Sequence, residues 1–102
     1  MSDKNRMFVL VTYDVSTLQD DSQKRLRRIA QACNGYGQRV QKSVFECSVS
    51  DVELEELINK LLKIMDKEQD SLRIYRLREP KDKFIRHYGV QTVVNLDEPL
   101  II

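Results

Sequence analysis

An α+β fold, with two helices laid on one face of a single antiparallel sheet, follows from three observations. Apolar residues recur with period 2, or as short β-branched and aromatic runs, in some segments and at i, i+3, i+4, i+7 in others, so strands and helices are both present. These segments come in the order strand, helix, strand, strand, helix, strand, which divides into two similar halves. The chain has 102 residues, room for one ordinary domain with a modest core. Two such halves sharing one antiparallel sheet make the split βαβ, or ferredoxin-like, arrangement: βαββαβ with a short C-terminal strand or tail.

Residues 1–6 are polar and unpatterned and are expected to be a disordered or vector-derived start. A single domain is expected over 7–102, with its tail from about 83. Residues 7–13, Met-Phe-Val-Leu-Val-Thr-Tyr, read as a central buried strand. Residues 15–22 form a polar loop whose last members can cap a helix. Leu26, Ile29, Ala30 and Cys33 then share one helical face. Gly35-Tyr36-Gly37 is expected to end that helix through the left-handed conformation that glycine tolerates.

Residues 38–50 hold Val40, Val44, Phe45, Cys47 and Val49 in too short a span for a helix with loops, so they predict a hairpin turning near Lys42-Ser43. Ser50-Asp51-Val52-Glu53 reads as a capping box, and Leu54, Leu57, Ile58, Leu61 and Met65 follow as an apolar stripe. Residues 67–70 close this helix. Leu72 and Ile74 alternate with Arg73, Tyr75 and Leu77 as a fourth strand. Pro80 interrupts it, residues 83–88 read as a short fifth strand, and the tail ends in Leu100-Ile101-Ile102. No element covers the second face of the sheet, and an apolar tail needs a surface to pack on. Both predict a homodimer joined sheet to sheet, each tail laid on the partner.

Hydrophobic residues at 41% exclude a disordered chain. The 17 basic and 16 acidic residues nearly cancel, to a net charge of +1, but they are segregated. Residues 22–42 contain Lys24, Arg25, Arg27, Arg28, Arg39 and Lys42 and no acid. Residues 71–86 contain Arg73, Arg76, Arg78, Lys81, Lys83 and Arg86 against Glu79 and Asp82. The acidic residues gather between, over 51–70, and it is the local field that steers a phosphate ligand. Cys33 and Cys47 lack metal-ligand spacing and are too few for a disulfide framework, so free thiols are expected. No apolar run reaches the roughly 18 residues of a membrane span and no signal peptide is visible, so a cytoplasmic protein without a membrane partner is expected.

Asp14 stands where the first strand runs out, a place for a metal-binding or catalytic carboxylate as well as for a loop cap. Ser16, two residues on, is positioned to donate to a phosphate or a metal-bound water, or to stabilise a turn. Tyr13 alternates away from Asp14, toward the core or an interface. Lys24, Arg27 and Arg28 share a helical face that can track a phosphate backbone or simply meet solvent. Arg76 and Arg78 lie in the second basic run, which can hold duplex DNA or meet an acidic helix. His87 has no second ligand nearby, and surface or interface placement is expected. A Gly-rich phosphate loop, a nucleophile elbow and a paired-cysteine site are all missing from the sequence.

Tyr13-Asp14-Val15 and the segment Arg39-Val40-Gln41-Lys42-Ser43-Val44-Phe45-Glu46-Cys47, after a Gly-Tyr-Gly helix exit, resemble the small CRISPR-associated protein that partners the CRISPR integrase in spacer acquisition. The residue 24–30 helix and the residue 89–102 tail are similar to its subtype I-C branch. The resemblance implies a homodimer with Asp14 of each chain facing across the interface. It further implies a metal-dependent endonuclease acting on duplex DNA or single-stranded RNA, or a non-catalytic DNA-binding adaptor bridging integrase dimers. Arg39, within the shared segment, is then expected to fork onto phosphate; Phe45 reads as core more than as a nucleic-acid platform, though the resemblance gives that position functional weight. Mg²⁺ or Mn²⁺ is the expected cofactor, since Mg²⁺ takes one or two carboxylates and leaves its remaining positions to water and phosphate. Two carboxylates brought close repel until a cation sits between them, so activity is expected to need metal and to rise with pH.

Overall fold

The computed structural model describes residues 6–15, 20–77, 83 and 85–90. Six elements appear, in the predicted order: β1 (Arg6–Val15), α1 (Asp20–Asn34), β2 (Gly37–Gln41), β3 (Val44–Ser50), α2 (Asp51–Ile64) and β4 (Asp70–Leu77). The sheet has 4 strands in the order β2-β3-β1-β4, so β1 is central. It runs antiparallel to both its neighbours. Val9, Val11 and Tyr13 of β1 point to the helices and are buried with Phe45, Cys47 and Val49 of β3. Leu26, Ile29, Ala30 and Cys33 of α1 and Leu54, Leu57 and Leu61 of α2 close this core, as the helical spacing predicts. Phe8, Leu10, Thr12 and Asp14 fall in the opposite phase, on the face that the helices leave open.

Several boundaries differ from the sequence reading. Arg6 belongs to β1, not to an unstructured start. Its guanidinium donates to Ser48 O at 2.7 Å and pairs with Glu53 Oε1 at 3.1 Å. Helix α1 begins at Asp20, inside the expected loop, so Ser22 becomes a buried residue of the first turn. Strand β4 begins at Asp70, a residue expected to close the preceding helix. Residues 85–88 pair with no described strand, and Arg86, His87 and Tyr88 are exposed. Ser16, Arg78 and the tail from 91 lie outside the described residues.

The turn from α1 into β2 needs glycine for a reason the sequence reading did not identify. Neither Gly35 nor Gly37 has a positive φ, so left-handed geometry is not what ends the helix. Gly37 instead meets β3 at close range: a Cβ there would stand 2.0 Å from Glu46 O and 2.6 Å from Cys47 Cα. The hairpin turns through Lys42-Ser43 as expected, with a bulge between Arg39 and Gln41. The capping box forms: Ser50 Oγ accepts from Glu53 N at 3.2 Å, and Glu53 Oε1 from Ser50 N at 2.9 Å. These contacts, led by the Ser50 amide, hold the Glu53 carboxyl below its ordinary range. Cys33 and Cys47 are free and buried, and contact with the Cys47 thiol together with burial pushes the Cys33 thiol up.

Candidate functional site

Strand pairing determines where Asp14 stands. The ladder between β1 and β3 ends at Thr12↔Val44, followed by one bond from Tyr13 N to Ser43 O at 3.0 Å. Beyond it Asp14 and Val15 pair only with β4, opposite Ser71 and Asp70. Asp14 is exposed, on the open face, at the end of a two-stranded ribbon. Arg73 lies on the same face of β4, in register with Thr12, whose Oγ1 donates to Arg73 O at 3.3 Å. Arg73 stands two residues from Asp14's register position, on the order of 7 Å, and its guanidinium lies 5.8 Å from the centroid of the Tyr75 ring, on the side away from Asp14.

Beneath that face the ribbon is anchored to the helices by Asp70. The Tyr13 hydroxyl donates to Asp70 Oδ2. Arg25 grips the carboxylate through both oxygens, Nε to Oδ2 at 2.6 Å and Nη2 to Oδ1 at 3.0 Å, and reaches Ser22 Oγ at 3.3 Å. The Asp66 amide supplies a further bond to Asp70 Oδ2 at 3.0 Å. The Asp70 side chain is 0% exposed. Burial alone would raise its carboxyl, but the bonds from Arg25, Tyr13 and Asp66 outweigh that and hold it below the ordinary range. Burial, reinforced by Asp70, pushes the Tyr13 phenol up, so it stays a neutral donor.

The basic residues separate by face. Lys24, Arg27 and Arg28 are exposed on α1, while Arg25, from the same cluster, is turned to Asp70. Arg76 is exposed on β4 in phase with Leu72 and Ile74, on the helix side. A single chain therefore does not bring Arg27, Arg28 or Arg76 to Asp14; they occupy opposite sides of the sheet.

Arg39 and Phe45 both turn inward. Arg39 is only 8% exposed, and its Nε and Nη2 both donate to Lys42 O, the former at 2.7 Å, so the guanidinium closes its own hairpin turn and does not meet solvent phosphate. Phe45 is buried in the core, with the Arg39 guanidinium 5.7 Å from its ring centroid, and offers no platform for a base. His87 is exposed, as expected, its Nε2 3.1 Å from Gly89 O. Asp70 is the residue that the sequence reading passed over, and Arg73 entered it only as a member of the second basic run. Alternation in phase with Asp14 could have flagged Arg73. An acid in phase with Leu72 and Ile74 signals a buried charge that needs a partner.

The open face also carries a shallow groove of about 570 Å³ lined by Phe8, Gly37, Gln38, Glu46 and Ser48. Phe8 and Asp14 are six residues apart in β1, roughly 20 Å, so the groove and Asp14 are at opposite ends of the strand. Among the described residues no group of three or more His, Cys, Asp or Glu is placed to hold a metal. Asp14 supplies a hard oxygen ligand suited to Mg²⁺ or Mn²⁺, but one carboxylate is only half of an adequate set. A second copy facing it would supply the other half.

A family model described as "CRISPR associated protein Cas2" matches residues 7–85. A "CRISPR-associated endoribonuclease Cas2 1" of Moorella thermoacetica is 54% identical over 96 residues, covering 94% of this chain and 100% of that protein. A "CRISPR-associated endonuclease Cas2" of Halalkalibacterium halodurans is 48% identical over 95 residues, covering 93% of this chain and 99% of that one. The crystal structure of Streptococcus pyogenes Cas2 at pH 6.5 superposes with a TM-score of 0.77 at 46% identity, over 81% of this chain and 100% of that chain.

Proposed function

We propose, since the chain belongs to the family of the CRISPR-associated protein Cas2, that it is a divalent-metal-dependent endonuclease acting in CRISPR spacer acquisition as a homodimer. Relatives named endoribonuclease and endonuclease support the reaction class, phosphodiester hydrolysis of single-stranded RNA or duplex DNA. The observation that carries the reading is Asp14: an exposed carboxylate on the uncovered face of the sheet, away from the helices. Phe8, Leu10, Tyr75 and Leu77 share that face, and Tyr75 remains 44% exposed. An apolar sheet face of this kind is suited to pairing with its own copy, which brings two Asp14 side chains toward one axis.

The residues divide the work. The two Asp14 carboxylates hold Mg²⁺ or Mn²⁺, and their ribbon ends fix the distance between them. Arg73, on the same face two register positions away, can turn from the Tyr75 ring to meet a phosphate near the site. Lys24, Arg27, Arg28 and Arg76, on the helix side, form the outer surfaces of a sheet-to-sheet dimer, where they attract the flanking backbone of a longer substrate or of DNA shared with the CRISPR integrase. Ser16, two residues beyond Asp14, remains a candidate donor to phosphate. When bound, the metal supplies Lewis acidity and a more acidic water.

Cleavage of duplex DNA and single-stranded RNA by the purified dimer, in Mg²⁺ or Mn²⁺ against chelator, tests the proposal. Asp14→Ala is expected to lower the rate by at least about 100-fold while leaving the circular dichroism spectrum and dimer mass unchanged. An Asp14→Ala protein as active as wild type would reject the nuclease reading and leave a DNA-binding adaptor that bridges integrase dimers.

A further inference from the structure

We propose that Asp70 is a positioning residue for the Asp14 site, acting with Tyr13 and Arg25 to set where the Asp14 carboxylate stands; this rests on the two-carboxylate reading above. The ladder from β3 stops at Thr12, so the end of β1 that carries Asp14 has a strand neighbour on one side only. A ribbon of two strands twists more freely than a sheet interior. Asp70 constrains it at three points. It pairs in register with Val15, the residue after Asp14. It accepts from the hydroxyl of Tyr13, the residue before Asp14. It is locked to α1 by the two-oxygen grip of Arg25.

Asp70 also determines where β4 begins. Its amide donates to Asp66 O at 2.8 Å, and its carboxylate takes the Asp66 amide at 3.0 Å, closing the turn between α2 and β4. One buried carboxylate thus joins the turn, the first residue of β4, the helix α1 and both flanks of Asp14. Packing alone does not call for a charge here, since an apolar residue would fill the same space without desolvating an ion. The arrangement fixes the backbone on both sides of Asp14, and loss of groups that position a metal ligand typically weakens metal affinity 10- to 100-fold.

The test is Mn²⁺ binding to the full-length homodimer, read from the electron paramagnetic resonance signal of free Mn²⁺. Wild type, Asp14→Ala, Asp70→Asn, Tyr13→Phe and Ile29→Val are compared, with melting temperatures measured alongside. Asp70→Asn is expected to weaken Mn²⁺ binding about tenfold and Tyr13→Phe a few-fold. Ile29→Val, which thins the core within α1's apolar stripe, loses stability without moving Mn²⁺ affinity. Mn²⁺ affinity unchanged in both Tyr13→Phe and Asp70→Asn, while Asp14→Ala abolishes binding, would overturn the positioning role and leave the metal site standing. Wild-type Mn²⁺ affinity in Asp14→Ala would remove the metal site and this inference together. If Asp70→Asn does not fold, Tyr13→Phe decides alone.

Discussion

Arg39 and Arg27 carry the same guanidinium in opposite settings, and their removal should give opposite phenotypes. Arg39 is buried over Phe45 with its donors on Lys42 O, so Arg39→Ala leaves a hairpin carbonyl without its partner and should cost about 1–3 kcal/mol in urea unfolding. Arg27 and Arg28 are exposed on α1. Replacing both with Ala should leave stability within about 0.5 kcal/mol. If they meet phosphate, the slope of log affinity against log salt for a duplex should fall by about 1 for each phosphate no longer neutralised. Part of this contrast is legible in the sequence. The helical wheel shows Arg27 and Arg28 opposite Leu26 and Ile29. Nothing in the linear order of Arg39-Val40-Gln41 shows that a bulge turns Arg39 inward. Asp70 was hidden for a similar reason: its partners, Arg25 and Tyr13, lie 45 and 57 residues away, and a buried ion pair has no local signature.

At the scale of elements, spacing carried most of the information. The apolar stripes of α1 and α2, the capping box at Ser50 and the two-residue turn at Lys42-Ser43 are all local features, and all form. Boundaries were less legible where a polar residue takes its role from tertiary packing, as Ser22 and Asp70 do. The helix exit separates the two kinds of information. Gly35-Tyr36-Gly37 was recognisable as a break, yet the constraint on Gly37 comes from β3 pressing against it. Gly37→Ala would drive a methyl into the Glu46 carbonyl and the Cys47 Cα, both of them backbone and unable to swing aside. It should destabilise the protein by about 2–3 kcal/mol by chemical denaturation. Gly35→Ala, whose Cβ would have only ordinary contact with Ala32 O at 3.5 Å, should be close to neutral.

For the whole molecule, the sheet has one face committed to helices and one uncovered, and that asymmetry was the most legible global property of the sequence. A chain with two amphipathic helices and four strands has only enough apolar helix surface for one side. The uncovered face should therefore decide assembly. Leu10→Glu places a charge in its middle, in register with Tyr75 and Glu46. Sedimentation is expected to show dimer for wild type and monomer for Leu10→Glu, with the helix content of each chain preserved. Metal-dependent cleavage should disappear with the dimer, because each monomer keeps one Asp14. A variant that stays dimeric and active would show that the copies meet elsewhere.

The sheet order also sets a timetable during synthesis. Tyr13 and Asp70 stand 57 residues apart, and β4 is the last of the described strands to leave the ribosome. At 5–20 residues per second, roughly 3–11 s pass between the making of Asp14's neighbour and the making of its anchor. Throughout that interval the nascent chain displays the carboxylate on a loose strand end, with neither a ladder to hold it nor the face on which a second copy could dock. An unfinished chain thus lacks the anchor of the Asp14 ribbon until β4 has been made.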